Sequence, residues 1–458
     1  MRRWATAFRF IFASCSVLFG VLLFTPKASA EKVLLKDKDW EVYTDGRVGG
    51  FVSYVFGDGQ PQQQSIVKAD GSTAPLWDVV GGGWQAAAEN GTKDTVHPDQ
   101  GRVSSMRVRS GMIANVLGVG VRNQFMPNVK LTGYFQIWAF IESEARTKNR
   151  PNLADVRQGY AKVDAPWGTV TVGRMRCLFS RGATDIDVTY AHRWGVGMPS
   201  PVDSNGPTLG QIGFGVLGSG FAGGVMYGTP TIAGLHLDVA VFEPISLSGK
   251  GAWTRTQFLR PEGELTWEQA FGTSGKVVLF ANGAAQKLYK PGYCDPNGPG
   301  HCDATAAGFG YGGRFEYGPV HLGVAGHRGK GLGLNYALEQ SDAAQDFQGN
   351  LRIFDGYYLQ TQFVIGPVEP FAGVGIARVF LTTFDKEQKV ADPRDPAGVA
   401  TMYPHSFIKN QLGINGGVVW HVSPNLHVDL DYFRARAEWY LGELQTLNAV
   451  NGGMTVSW

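Results

Sequence analysis

Two stretches carry the glycine spacing of a dinucleotide-binding turn, Gly213-x-Gly215-x-x-Gly218 and Gly308-x-Gly310-x-x-Gly313. Phosphate binding needs that turn to open a helix, whose free N–H groups and dipole hold the charge. Neither stretch opens a helical pattern, and with 63 glycines in 458 residues a chance match is expected. Both are set aside. There is no Gly-x-Ser-x-Gly elbow, no His-Glu-x-x-His and no Walker loop. A hydrolase could still assemble Ser, acid and one of His192, His321, His327, His421 or His427 from separate strands. Cys294 and Cys302 bracket CDPNGPGHC and, in an oxidising compartment, would close a disulfide across this turn-rich loop. A metal held by Cys294, His301 and Cys302 lacks the two-pair spacing of a structural zinc site. No cofactor or metal is expected.

The residues left with chemistry to do are charged side chains on alternating segments. Glycine is about twice its usual ~7 % share, and charged residues fall below the usual ~25 %. The 55 aromatic residues exclude a disordered chain, and no collagen or heptad period is present. Residues 1–30 read as a Sec signal peptide: Arg2, Arg3 and Arg9 precede the apolar run Phe10 to Phe24, and Ala28-Ser29-Ala30 gives the small-x-small cleavage pattern. Its removal takes away four of the 41 basic residues and none of the 39 acidic ones, leaving 37 against 39. So balanced a chain offers nothing to nucleic acid. Residues 31–458 are expected to form a single all-β domain.

Beyond the signal no segment holds 18 consecutive apolar residues, so a helical span is excluded. Alternation recurs instead. Val129, Leu131, Phe135 and Ile137 oppose Lys130, Thr132, Tyr134 and Gln136; Ile408, Leu412, Ile414, Val418, Trp420 and Val422 oppose Lys409, Gln411, Asn415 and His421. Such strands suit a soluble sandwich or a membrane barrel equally. The connections separate the two. Sixteen strands are expected, near 40–56, 104–122, 128–142, 153–164, 168–175, 221–228, 234–244, 257–270, 275–286, 308–317, 319–329, 351–366, 368–382, 407–421, 425–440 and 449–458. Seven short joins rich in Pro, Gly and Asn alternate with eight mostly longer ones, the pattern of periplasmic turns and extracellular loops in an up-and-down transmembrane antiparallel β-barrel.

That count makes 176–220 one loop, unless 209–217 is a further strand paired with 221–228. A loop so long normally has a function. Trp40, Tyr43, Trp138, Phe140, Trp167, Trp420, Tyr432, Trp439, Tyr440 and Trp458 lie near strand ends, where interface girdles sit. In 425–440 the apolar parity switches between Tyr432 and Phe433, which predicts a bulge or an exit from the bilayer there.

Parity also places charge. Asp45, Arg47 and Ser53 oppose Val42, Val48, Val52 and Tyr54, so Arg47 faces the lumen; with Met106, Val108, Met112 and Val116 outward, Arg107 and Arg109 face inward. An arginine facing lipid costs several kcal/mol and one facing water little. Arg157 shares its parity with Leu153, Gly159, Ala161 and Val163, which leaves its direction open. If the loop 176–220 folds inward, Asp185, Asp187 and Asp203 would face the basic wall and set up a transverse field.

The start Trp40-Glu41-Val42-Tyr43-Thr44-Asp45-Gly46-Arg47-Val48-Gly49-Gly50 resembles the first strand of general Gram-negative porins. So do the block Val156 to Val163 and the strand Trp167-Gly168-Thr169-Val170-Thr171-Val172-Gly173-Arg174 that leads into the long loop. Trp458 is similar to the family's C-terminal aromatic assembly signal, usually Phe. The resemblance implies a sixteen-stranded, usually trimeric, water-filled channel in the outer membrane, made with the help of the assembly machinery. It implies Arg47, Arg109 and Arg157 on the basic wall, Arg174 at its rim and Asp185 or Asp187 on the acidic loop. It would turn Arg157 inward and leave Tyr160 outward. Passive diffusion of small hydrophilic solutes and ions is then the expected function. A sugar- or anion-selective channel, with Trp77, Trp84, Phe179 and Trp194 along its path, is the second reading; a barrel-borne hydrolase and a secreted soluble β-protein follow.

Overall fold

A sheet with one apolar and one polar face must deal with its unpaired edges, and closure into a barrel does so. The computed structural model describes residues 31–58, 65–67, 73–75, 102–110, 115–139, 154–189, 211–245, 258–289, 303–335, 337–338, 344, 346, 350–387, 390–391, 401–402, 408–440, 442 and 444–458. Its sixteen antiparallel spans form a closed barrel. They are β1 (Trp40–Asp58), β2 in two segments (Arg102–Arg109 and Asn115–Met126), β3 (Val129–Ala139), β4 (Ala154–Ala165), β5 (Gly168–Arg176), β6 (Phe221–Gly228), β7 (Leu235–Phe242) and β8 (Arg260–Phe271). The second half comprises β9 (Gly275–Tyr289), β10 (Asp303–Tyr317), β11 (Val320–Lys330), β12 (Ile353–Phe363), β13 (Val368–Phe380), β14 (Ile408–Ser423), β15 (Leu426–Trp439) and β16 (Leu444–Ser457).

Each span pairs with the next in sequence, and β16 returns to β1, from Arg47↔Ser457 to Gly57↔Leu447. A short strand, Lys32–Asp37, pairs with the start of β1 and prolongs the place of β16 beyond the C-terminus. At that seam Gly46 N–H donates to Trp458 O and Trp458 N–H to Gly46 O, both at 3.0 Å. The indole lies over Gly46, where a Cβ would come within 2.6 Å of the ring. Replacing Trp458 with Ala is therefore expected to lower the barrel's unfolding midpoint in detergent, by less than the ~3–5 kcal/mol of a core Trp because the ring is half-buried. A thermal melt of the folded band checks this.

The seven short joins lie where the turn-forming residues predict them, at one end of the barrel. Asn128 (φ 67°), Gly272 (58°), Gly318 (56°) and Gly366 (59°) supply their left-handed corners, which glycine adopts without strain. On the same end Trp167, Tyr227, Phe271, Phe315, Tyr317 and Trp420 are exposed on the outer surface. Trp167 stacks on Tyr227 at 6.3 Å and Phe271 on Tyr317 at 6.4 Å, as a girdle at a membrane–water boundary would. Of the other strand-end aromatics, Tyr43, Trp138 and Trp439 are buried inside instead.

One expectation needs correcting, and two places where the sequence left alternatives are narrowed. The span expected as 104–122 is two segments of opposite parity. Phe51 pairs with Arg109 but Arg47 with Val116, so extra residues intervene and Val116 turns inward while Leu117, Val119 and Val121 face out. Met112 lies outside the described residues. Of the bulge or exit expected at the parity switch in 425–440, the bulge is absent: β15 pairs continuously from Leu430 to Arg436 with both neighbours, and its outward row passes from Leu430 and Tyr432 to the exposed Arg434 and Arg436. Phe433, Ala435 and Ala437 are apolar and inward because they are part of an interior hydrophobic cluster. Among the described residues of 209–217, Ile212 and Val216 make only an isolated bridge, and β6 begins at Phe221 and pairs with β5 and β7, as the single-loop reading of 176–220 expects and the alternative strand does not. The signal peptide, Cys294, Cys302, Phe140, Trp77, Trp84 and Trp194 lie outside the described residues.

Candidate channel lumen

The long connection after β5 folds against the inner wall, held by carboxylates the sequence reading had not singled out. Arg260, Glu262 and Glu264 alternate inward along β8, with Pro261 and Gly263 between them and Leu265 after them on the outward row. Glu262 Oε2 accepts the N–H groups of Leu178 (2.7 Å) and Phe179 (2.8 Å), and Glu264 Oε2 accepts that of Gly182 (2.7 Å). Arg181, first residue of helix α1 (Arg181–Asp185), donates from Nε to Glu264 Oε1 at 2.7 Å and from Nη2 to Asp238 of β7. Burial works against the Arg181 charge, but Glu264 and Asp238 outweigh it and raise its pKa. Gly182 permits this close approach, since a Cβ there would lie 2.4 Å from Phe280 of β9. The alternation of Arg260, Glu262 and Glu264 was the signal for an inward charged row; nothing local said that backbone N–H groups of the loop would meet it.

The loop then crosses to the far wall. Tyr358 of β12 donates its hydroxyl to Ala183 O at 2.7 Å, and Val188 N–H donates to Gln360 Oε1 at 3.1 Å. On the return, Gln211 Nε2 donates to Asn415 Oδ1 of β14 at 2.9 Å, and Phe214 packs edge-on against Phe433 at 5.1 Å. Gly375 and Gly413 leave the room: a Cβ on the first would sit 1.9 Å from Phe214 O and on the second 2.6 Å from its ring. Cys177 N–H closes the loop by donating to Gly220 O at 2.8 Å. The Cys177 side chain is buried beside Arg260, and burial, reinforced by Glu262, pushes its thiol up to about 12. Such a thiol is inert.

The arc from β1 to β5 carries polar and aromatic inward rows. Tyr134 donates to Asp45 Oδ1 at 2.8 Å; Gln136 Nε2 donates to the Tyr134 hydroxyl at 3.0 Å; Trp138 Nε1 and Gln158 Nε2 both donate to Gln136 Oε1, at 2.9 and 3.1 Å. Tyr43, Tyr134 and Tyr160 follow one another around the wall, at 6.4 and 5.4 Å between ring centres. Several charges on this arc are paired: Arg122 with Glu41 (2.7 Å), Lys162 with Asp164 (3.0 Å), Arg157 with Asp155 (2.9 Å).

Of the basic wall expected from sequence, Arg47 and Arg109 lie on inward rows and are only 6 % exposed. Arg107 shares the inward row of Arg109 and is partly exposed. Arg157 also reaches inward, its guanidinium 4.5 Å over the buried ring of Trp138. A register shift between Gln136 and Ile137 leaves Arg157 without a partner in the ladder, so it and Gln158 both turn in. For the same reason Tyr160 faces inward beside Tyr134, not outward. Arg174 does not reach the lumen: it pairs with Gly159 in the outward row of Val172 and is exposed. Asp185 is 54 % exposed and bound to Arg176 at 2.6 Å. Asp187 is fully buried, its Oδ1 accepting from Thr189 N and Oγ1, both at 2.7 Å, so it turns the loop rather than facing water. Of the histidines offered to a hydrolase, His421 meets Glu369 (3.1 Å) and His427 (2.8 Å), and His327 is buried against Gly356. These contacts are to carboxylate, imidazole and backbone, without a serine hydroxyl.

A closed sixteen-stranded barrel with short turns at one end, long loops at the other and a loop tied inside is the fold of outer-membrane porins. The chain is similar to the outer-membrane channel DcaP of Acinetobacter baumannii, at 13 % identity and a TM-score of 0.60, over 93 % of this chain and 99 % of that one. It is similar to an anion-selective porin from Comamonas acidovorans, at 12 % identity and 0.53, over 92 % and 100 %. No protein-family model matches the chain, and no curated protein matches it significantly.

Proposed function

We propose that this protein is an outer-membrane porin that lets small hydrophilic solutes and ions diffuse passively, without covalent chemistry. The observation that carries the reading is the tied loop. It covers the arc from β8 to β15 and faces an arc from β1 to β5 whose inward residues are charged, amide-bearing and partly exposed. Water and polar solutes have a lined path there, while the outer surface offers Val48, Val52, Leu279, Val324, Leu359 and Val450 to lipid. In this reading residues 1–30 direct export, residues 31–458 form one barrel with short turns in the periplasm, and the unit in the membrane is a homotrimer. Trp458 engages the assembly machinery, and Cys294 and Cys302 form the disulfide of an outer loop. Liposomes reconstituted with the protein are expected to swell in small sugars and less in larger ones. Equal swelling with and without protein overturns the reading.

Arg107 and Arg157, with Arg47 and Arg109 behind them, make the basic side of the constriction, and Asp185 the acidic side. Because most lumen charges are paired, ion selectivity is expected to be weak. Exchanging Arg107 and Arg157 for Glu together should move the reversal potential in a salt gradient toward cations. An unmoved potential would remove these arginines from the constriction. The amide and aromatic row of Tyr134, Gln136, Gln158 and Trp138 favours a second reading, a channel selective for a sugar or anion. Conductance that saturates with one solute class would decide for it.

A further inference from the structure

Two imidazoles face each other on the inner wall, at the end of the barrel that carries the short turns. His421 of β14 and His427 of β15 are ladder partners across the Ser423-Pro424-Asn425 turn. Trp420 and Val422, on either side of His421, are exposed on the outer surface, and His427 shares the row of the buried Asp429 and Asp431. Both rings therefore point into the barrel, and both residues are half-buried. Their Nδ1 atoms stand 2.8 Å apart, with the ring planes at 89° and the ring centres 4.6 Å apart. The other nitrogen of His421, Nε2, stands 3.1 Å from Glu369 Oε2 of β13. Gln362 Nε2 of β12 donates to the same Oε2 at 2.8 Å, and Gln362 Oε1 lies 3.1 Å from His321 Nδ1 of β11. Side chains of three neighbouring strands thus back one ring on its Nε2 side and leave its Nδ1 toward a second imidazole.

The channel reading makes no use of this arrangement. A carboxylate beside one nitrogen of a histidine favours the proton there, which fixes the ring and keeps a lone pair on the other nitrogen. That is the usual support of a metal-binding imidazole. The hairpin sets the second ring against the first, since the two are six residues apart in sequence, so little order has to be gained on binding. Distance then selects the ion. At metal–nitrogen bonds of ~2.05 Å, two nitrogens 2.8 Å apart subtend about 86° at a shared ion. That is close to the cis angle of a tetragonal site and well below the ~109° of tetrahedral zinc. Cu2+ prefers tetragonal nitrogen and oxygen ligands and heads the affinity order of the divalent metals. Glu369 is buried, as is Asp429, which follows His427 about 7 Å along the same row, and two carboxylates at this range favour a cation. Among the described residues no three His, Cys, Asp or Glu side chains converge, so water from the lumen would complete the coordination.

We propose that His421 and His427 form a two-nitrogen chelate for one Cu2+ ion on the lumen wall, with Glu369 as the positioning residue behind His421. Binding exchanges the contact between the imidazoles for two metal–nitrogen bonds, and the proton between the two Nδ1 atoms is displaced. The test uses the detergent-purified mature protein, free of any histidine tag, titrated with CuCl2 and followed by electron paramagnetic resonance. One ion per chain is expected, with a tetragonal signal split by two nitrogens. His421→Thr and His427→Thr, each of which suits a strand, should remove that signal. Glu369→Gln should keep the signal and weaken binding about 10–100-fold. Absence of the two-nitrogen signal from wild type would make the pair an imidazole hydrogen bond only and overturns the proposal. So does a signal unchanged in both folded histidine variants, or displacement of Cu2+ by an equal concentration of Ca2+, which would make this a carboxylate site. Unchanged affinity in Glu369→Gln removes the positioning role. Should a histidine variant fail to fold, wild type carries the test: CuCl2 should protect His421 and His427 from diethyl pyrocarbonate, mapped by mass spectrometry, and modification at an unchanged rate overturns the proposal. None of these measurements involves conductance, so their outcome is separate from that of the channel reading.

Discussion

Replacing Arg181 with Ala is expected to free the inner loop from the β7–β8 wall and raise the open-channel conductance and its noise. The side chain is the only part of α1 that meets both Glu264 and Asp238 in the described contacts, and both carboxylates are buried. Removing one member of a buried ionic cluster costs about 3–5 kcal/mol, because the charge left behind keeps its desolvation penalty without its partner. The barrel ladder does not depend on this cluster, so the loss falls on the loop. Glu262→Gln with Glu264→Gln attacks the same anchor from the wall side and should act in the same direction, weakening the acceptors for the Leu178, Phe179 and Gly182 N–H groups. The check is single-channel recording beside electrophoretic mobility before and after boiling. Unaltered conductance and noise in a folded Arg181→Ala barrel would mean that the loop does not set the aperture.

The second large effect is expected from Gly375→Val. A Cβ at this position would lie 1.9 Å from Phe214 O and 2.9 Å from the Gln211 side chain, so the returning arm of the loop has to leave its seat. Its departure would expose Phe214, now fully buried against Phe433, and break the Gln211–Asn415 bond. Losing a buried Phe from its packing costs about 3–5 kcal/mol. Gly375 lies in the middle of β13, where Val suits a strand and pairs with Gly413 in the ladder. The barrel should therefore still form while conductance changes. A protein that fails to fold would place the tolerance of β13, and not the loop seat, at fault, and Gly413→Ala, which approaches the ring of Phe214 at 2.6 Å, then carries the test.

The barrel was legible in this sequence because its physics is periodic. Seven turns built on Pro, Gly and Asn, separated by alternating runs, fix the number and direction of the spans without knowledge of any contact. Failures occurred where one extra residue changes the period. Between Arg109 and Asn115 the insertion flips the outward row from even to odd numbers, so Val116 could not be placed from Met106 and Val108. The bulge at Arg157 has the same effect, which is why one rule could not turn Arg157 and Tyr160 in together.

The site was less legible, for a different reason. Parity shows that Glu262 and Glu264 face inward but not that loop N–H groups await them, since that depends on contacts across more than 80 residues of sequence. The sequence offers Asp187 as a loop acid that would face the basic wall, whereas the Thr189 N–H and hydroxyl bind it as a structural cap. Arg174 shows the reverse case: its motif suggested the lumen, and its row puts it outside.

The central claim is that the barrel is an open, water-filled pathway narrowed by its own tied loop. The most direct test is single-channel conductance of the mature protein in a planar bilayer under a salt gradient. Stepwise openings in multiples of three, with ohmic conductance and a small reversal potential, are the result predicted for a trimeric porin. A folded, inserted barrel that passes no current would contradict it.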